Sequence, residues 1–197
     1  MTRFPHPAPI VGILAGGKGS RMGGIDKAAL PSPAGSLALL WRTTDLVEAL
    51  GLTCVLVGVR PALKQQRPKL TYLNDEPAGV GPLGGLGALL EYAAQRPCLL
   101  LACDMPYLQA ELVALLASSP SAAAVLAPKD AATGKWQPFF ARYQSPVVAP
   151  VLTRALRDGV RSFQQLFDTL SPEELPLTPQ QRMWLVDWDT PEDMKRK

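Results

Sequence analysis

The chain has 197 residues, 47% of them hydrophobic and 19% charged, with a net charge of +3. That length supports one sizeable core and is short for two domains, and the apolar content excludes a disordered chain. The charge is too mild to argue for nucleic acid, and no run of about 18 apolar residues offers a membrane span.

Residues 1–9 carry three prolines and lack the apolar core of a signal peptide, so they are expected to form a flexible N-terminal tail, with no export. Cys54, Cys98 and Cys103 are odd in number, lack C-x-x-C spacing and sit in or beside apolar runs, as small core residues of a reducing, cytoplasmic protein do. His6, in the tail, is the only histidine. A histidine zinc site or a Ser-His-Asp triad therefore has nothing to build on, and ionic chemistry falls to carboxylates, lysines and arginines.

The apolar run Ile10 to Leu14 predicts a buried strand, followed by a loop holding Gly16, Gly17, Gly19, Gly23 and Gly24 with the cations Lys18, Arg21 and Lys27. Glycines let backbone N–H groups approach a ligand closely, and cations among them favour the phosphates of a nucleotide. The plain alternative is a flexible turn. A P-loop is excluded because Gly17-Lys18 is followed by Gly19 rather than Ser or Thr. A dinucleotide fingerprint is weakened because the glycines are spaced one residue too far and the next strand ends in Val59-Arg60, without a carboxylate for a ribose. Arg60 leaves an opening for a 2′-phosphate, and so for an NADP-dependent oxidoreductase.

Further elements follow in order. Ser36 is read as the cap of a helix to Leu50, 53–58 as a buried strand, Pro61 as the start of a helical turn and Leu70 to Leu73 as a short strand. A second Gly/Pro-rich loop, 74–82, leads into a helix from Leu83 to Gln95. Cys98 to Cys103 is apolar without alternation, which indicates a strand buried on both faces. It ends in Asp104-Met-Pro106-Tyr107. A helix over 109–117, a strand over 123–127, a turn over 131–135 and a strand over 137–143 come next. Helices over 147–157 and from Ser162 to Leu170, a strand over 183–187 and a short helix begun by Asp189 and Pro191 complete the chain. Alternating strands and helices in the first 127 residues predict a single-domain, doubly wound, mostly parallel, Rossmann-like α/β sheet with helices on both faces. An insertion or an antiparallel strand is expected in the second half.

In such a sheet ligands sit beyond the carboxyl ends of the strands. Asp75, Asp104, Asp187 and Asp189 all follow predicted strands. Asp104, directly after the most apolar strand, is the sharpest candidate for Mg²⁺, which binds through one or two carboxylates plus substrate phosphates. Each carboxylate also has a local alternative: Asp104 as a helix cap, Asp189 as a helix start, Asp75 as the closer of its own turn.

The motif Leu14-Ala-Gly-Gly-Lys-Gly-Ser-Arg21-Met22-Gly23-Gly-Ile-Asp-Lys27 resembles the signature of the sugar-nucleotidyltransferase-like superfamily, and most closely that of the molybdenum cofactor guanylyltransferases. Asp75-Glu-Pro-Ala-Gly-Val-Gly81-Pro82-Leu83-Gly84-Gly85, Cys103-Asp104-Met105-Pro106 and Asp187-Trp-Asp189-Thr190-Pro191-Glu192-Asp193 are similar to three further segments of that family, so the likeness spans 11–193. It implies a nucleotide-diphospho-sugar-transferase type fold over 10–197. It implies transfer of GMP from GTP to the terminal phosphate of molybdenum-molybdopterin, with Mg²⁺ as cofactor. Arg21, Lys27 and Asp104 take the catalytic roles. Leu14, Ala15, Gly16, Gly17, Lys18, Gly19, Lys27, Asp75, Gly81 and Asp104 hold the nucleotide, and Asp104 and Asp189 hold the metal. The implied partners are GTP and molybdopterin, with transient contact to molybdoenzymes or cofactor-biosynthesis proteins, no nucleic acid, no membrane, and a monomeric state.

Three departures stand out. The second strand ends in Gly58-Val59-Arg60 where some relatives carry Asn, Gln137-Pro138 stands for a usual His-Pro, and the final motif, Asp187-Trp-Asp189-Thr-Pro, has Asp where many guanylyltransferases have Asn. The Asp-x-Asp-Thr-Pro form also resembles cytidylyltransferases, which read Leu-Ala-Ala-Gly where this chain reads Leu-Ala-Gly-Gly. CTP, another phosphorylated acceptor, or an idle GTP-binding module remain alternative readings.

Overall fold

A computed structural model describes residues 4, 7–15, 26–33, 35–188 and 193. Seven strands form one sheet: β1 (Ile10–Leu14), β2 (Thr53–Val57), β3 (Thr71–Leu73), β4 (Pro97–Ala102), β5 (Val125–Ala127), β6 (Phe140–Gln144) and β7 (Glu173–Glu174), in the order β3-β2-β1-β4-β6-β5-β7. The first four are mutually parallel, with Gly12 of β1 facing Val55 on one side and Leu100 on the other. β6 is the antiparallel strand expected in the second half, inserted between β4 and β5.

Among the described residues seven α-helices connect and cover the strands: α1 (Leu39–Ala49), α2 (Pro61–Lys64), α3 (Pro82–Ala93), α4 (Ala110–Ser118), α5 (Ser145–Arg157), α6 (Phe163–Leu170) and α7 (Pro179–Met183). Strand side chains alternate between faces, and the core divides accordingly. Val11, Ile13, Leu56, Leu99 and Leu101 pack with Leu40 and Val47 of α1, Leu63 of α2 and Leu112, Val113 and Leu116 of α4. Ile10, Leu14, Val55, Val57, Cys98 and Leu100 pack with α3, α5 and α6. Helices on both faces are what make a run such as Cys98 to Leu101 apolar throughout. On the second face α3 lies so close that a Cβ at Gly12 would come within 2.5 Å of Leu89 Cδ2. Among the described residues no helix is long and apolar enough to cross a membrane.

Two local readings need correction. Ser36 does not cap α1, because residues 36–38 first pair back on the preceding loop: Ser32 N–H donates to Leu37 O (2.8 Å) and Leu39 N–H to Leu30 O (2.8 Å). Ala38 stands at the cap, with no side-chain hydrogen bond. The run Met183 to Asp187 is not a strand. Thr178 and Gln181 form a reciprocal capping box that starts α7, Met183 ends that helix, and Trp184 and Leu185 turn back against the first core. The edge of the sheet is instead the two-residue β7, which the sequence pattern did not reveal. By contrast Ser162 caps α6 as expected, accepting from Gln165 N–H at 3.3 Å. The helix expected from Asp189 falls on 189–192, outside the described residues.

Candidate active site

After β1 the chain builds outward to β2 and β3, then returns to place β4 on the other side of β1. Connections leaving a strand in opposite directions open a crevice at its carboxyl end, where ligands of such sheets bind. Here the crevice lies between the ends of β1 and β4. Ala15 N–H donates to Val57 O (2.9 Å) and Cys103 N–H to Leu14 O (3.2 Å), which tie the exits of β1, β2 and β4 together.

Lys27 and Asp104 meet at this rim. Lys27 begins a short 3-10 turn, Lys27–Ala29, capped by Asp26, whose Oδ1 accepts from Ala28 N–H at 3.2 Å. From the turn, Lys27 Nζ reaches Asp104 Oδ2 at 2.9 Å, with the two side chains 20% and 19% exposed. Residues 77 positions apart are thus joined by a charge-assisted hydrogen bond largely shielded from water. Asp104 is not the cap of α4, which begins at Ala110 with Gln109 in that role. The loop between them is irregular and its Met105, Pro106 and Leu108 are buried.

Asp75 follows β3 and reaches the first turn of α3. A Cβ at Gly85 would lie 2.6 Å from Leu14 Cδ1 and 3.6 Å from Asp75 Oδ1, so Leu14 and Asp75 converge over that turn. Asp75 Oδ1 is buried and has no hydrogen-bond partner among the described residues, so this oxygen does not close a local turn. Such a buried acceptor calls for a ligand or water. Gly81 is the N-cap of α3 with φ of 71°, a left-handed conformation that a glycine adopts freely. Of the residues singled out from the sequence, Leu14, Ala15, Lys27, Asp75, Gly81 and Asp104 are described, all at strand exits or helix starts. Gly16, Gly17, Lys18, Gly19, Arg21 and Asp189 lie outside the described residues.

Sequence reading passed over three nearby groups. Asp26 caps the Lys27 turn and also meets Arg60 Nε at 3.4 Å, so the arginine considered for a 2′-phosphate already faces a carboxylate. Its signal was an Asp directly before Lys-Ala-Ala. Trp188 N–H donates to Asp104 O at 3.0 Å, and Arg42 Nη2 donates to Leu108 O at 2.7 Å. No local pattern marks either, because each acts across a long sequence separation.

Burial pushes the Cys103 thiol far up, and the carboxylates of Asp104 and Asp26 push it further. That holds it protonated at neutral pH and so not activated as a nucleophile. Among the described residues no three His, Cys, Asp or Glu side chains gather into a metal cage.

Comparison with known proteins places the family and the fold. The family model described as "MobA-like NTP transferase domain" matches residues 11–173. A probable molybdenum cofactor guanylyltransferase of Synechococcus elongatus is 35% identical over 192 residues, covering 92% of this chain and 93% of its own. Its counterpart in Mycobacterium tuberculosis is 42% identical over 119 residues, and the chain spans only 57% of that relative's length. In fold, the chain resembles molybdopterin-guanine dinucleotide biosynthesis protein A of Archaeoglobus fulgidus, with a TM-score of 0.75 at 23% identity and 94% and 95% of the two chains covered. It also resembles a cytidylyltransferase acting on 2-C-methyl-D-erythritol 4-phosphate from Thermus thermophilus, with a TM-score of 0.66 at 14% identity and coverage of 95% and 96%. A part-buried Lys–Asp pair at the switch point of a mostly parallel sheet and a family match over most of its length lead to one conclusion: the chain belongs to the MobA-like NTP transferase family, a family of nucleotidyltransferase enzymes.

Proposed function

We propose that the chain transfers GMP from GTP to the terminal phosphate of molybdenum-molybdopterin, releasing pyrophosphate. The observation that carries this reading is the Lys27–Asp104 pair: a cation for phosphates and a carboxylate for a hard metal ion, 2.9 Å apart at the sheet's carboxyl rim. The relatives' printed names supply the acceptor, and Leu14-Ala-Gly-Gly favours guanine over cytosine.

The donor chemistry fits Mg²⁺. A rim carboxylate that belongs to no cluster of three or more ligating side chains among the described residues suits an ion that keeps most of its oxygens from phosphate and water. Asp104 would hold it, joined by Asp189, and when bound it neutralises phosphate charge. Lys27, Arg21 and the glycine-loop N–H groups would line the triphosphate, with Asp75 and Gly81 beside the nucleoside. An oxygen of the acceptor's phosphate bonds to the α-phosphorus while the bond from that phosphorus to the bridging oxygen of pyrophosphate breaks. A phosphate monoester is already a nucleophile near neutral pH, so no general base is required and the absence of an active-site histidine is no obstacle. Catalysis is then positioning and charge neutralisation. We assign this activity to one domain over 10–197, behind an N-terminal tail over 1–9, in a cytoplasmic monomer.

The test is pyrophosphate release from each of four nucleoside triphosphates, with molybdopterin or sugar phosphates as acceptor, with and without Mg²⁺. Release with GTP and molybdopterin alone, dependent on Mg²⁺, is expected. Release with CTP, or with a sugar phosphate instead, would overturn the assignment of base or acceptor. GTP binding without release would mark an idle binding module.

A further inference from the structure

The carboxylate of Asp104 can be no better fixed than the loop that carries it, and residues 103–109 form neither helix nor strand. That loop is gripped at both ends from elsewhere in the chain. At its far end Arg42, on α1, donates to the Leu108 carbonyl. At its near end Trp188 donates its backbone N–H to the carbonyl of Asp104 itself, at 3.0 Å. Trp188 is 5% exposed and its ring meets Tyr107 edge to face, with centroids 6.5 Å apart and an interplanar angle of 87°. Among the described residues its Nε1 is buried without an acceptor, and the packing against Tyr107 is the contact that holds the indole.

We propose that Trp188 is a positioning residue: by wedging against Tyr107 and holding the Asp104 carbonyl, it sets the Asp104 carboxylate against Lys27 and, on the reading above, at the metal site. The middle residue of Asp187-Trp188-Asp189 then acts through Asp104 without touching substrate. Groups that hold a metal's carboxylate in place typically change metal affinity 10- to 100-fold when removed.

Two measurements test this. The first needs no ligand: urea unfolding of Trp188→Ala, Lys27→Met and the double variant. If Trp188 positions the ion pair, the midpoint loss of the double variant falls short of the sum of the single losses, and Trp188→Phe, which keeps an aromatic wedge, restores the wild-type loss on adding Lys27→Met. Additive losses overturn the proposal. The second is calorimetric GTP binding across a Mg²⁺ titration. In Trp188→Ala the Mg²⁺ concentration for half-maximal binding should rise about tenfold, while GTP binding in EDTA stays unchanged. Leu116→Ala, in the last turn of α4, serves as the control that loses stability without moving the Mg²⁺ dependence. A Trp188→Ala titration that overlays the wild type also overturns the proposal. Should the wild type itself show no Mg²⁺-dependent GTP binding, the guanylyl-transfer reading fails, and the unfolding cycle alone decides the role of Trp188. If Trp188→Ala does not fold, Trp188→Leu takes its place in both arms.

Discussion

Lys27 and Asp104 were each legible from local sequence, one at the end of a glycine-rich motif and the other after six apolar residues. Their 2.9 Å contact was not, because it depends on which strand lands beside β1. On the proposed reading, removing either charge leaves the other facing phosphate or metal uncompensated. Lys27→Ala or Asp104→Ala is expected to cost about 3–4 kcal/mol of transition-state stabilisation, a few hundredfold in turnover, as measured by pyrophosphate release. The cysteines make a separate prediction. Burial raises the thiols of Cys54 and Cys98 to about 12. In the unfolded chain they ionise near pH 9, so above that pH the unfolded state sheds protons that the folded state keeps. Stability should therefore fall as pH rises from about 9 towards 12, and Cys98→Ala should flatten the slope of the urea midpoint against pH.

At the level of elements, strands with continuous apolar runs and helices with caps in the right place were readable, and the errors have specific physical causes. The run Met183 to Asp187 looked like a strand by its residues alone. Thr178, Pro179 and Gln181 had already set a helix start whose reach extends to Met183, and that signature was present in the sequence. β7 has only two residues, both Glu, and exists because β5 offers it an edge. Glycines in α3 carry information that propensity misreads. An alanine at Gly87 should favour a helix by up to about 1 kcal/mol. Its Cβ would, however, lie 2.2 Å from the Glu76 carbonyl oxygen, which belongs to the loop carrying Asp75. The clash is expected to win, so Gly87→Ala should destabilise by about 1–3 kcal/mol in urea unfolding and weaken nucleotide binding through Asp75. Ser162→Ala, which removes the α6 cap far from the rim, should cost about 1 kcal/mol and leave binding intact.

Across the whole molecule, one sheet is covered by two cores, and its topology opens a crevice beyond β1 and β4. The alternation of strands and helices foretold the doubly wound half, and the order of β6 and β5 required the structure, since an antiparallel insertion leaves no mark on local hydrophobicity. A ligand seated there ties both halves of the chain together. Mg²⁺ with GTP at about a hundred times its dissociation constant should stabilise the fold by about 2.7 kcal/mol, a melting shift of about 5–10 °C, and CTP at the same concentration should give less.

The most direct test is calorimetric titration of GTP into the wild type, Lys27→Met and Asp104→Asn, each with Mg²⁺ and with EDTA. One metal-bound triphosphate bridging the two residues requires that Asp104→Asn lose the gain from Mg²⁺ while still binding GTP in EDTA, and that Lys27→Met bind weakly in both. Wild-type Mg²⁺ dependence in Asp104→Asn, or undiminished GTP affinity in Lys27→Met, would contradict it.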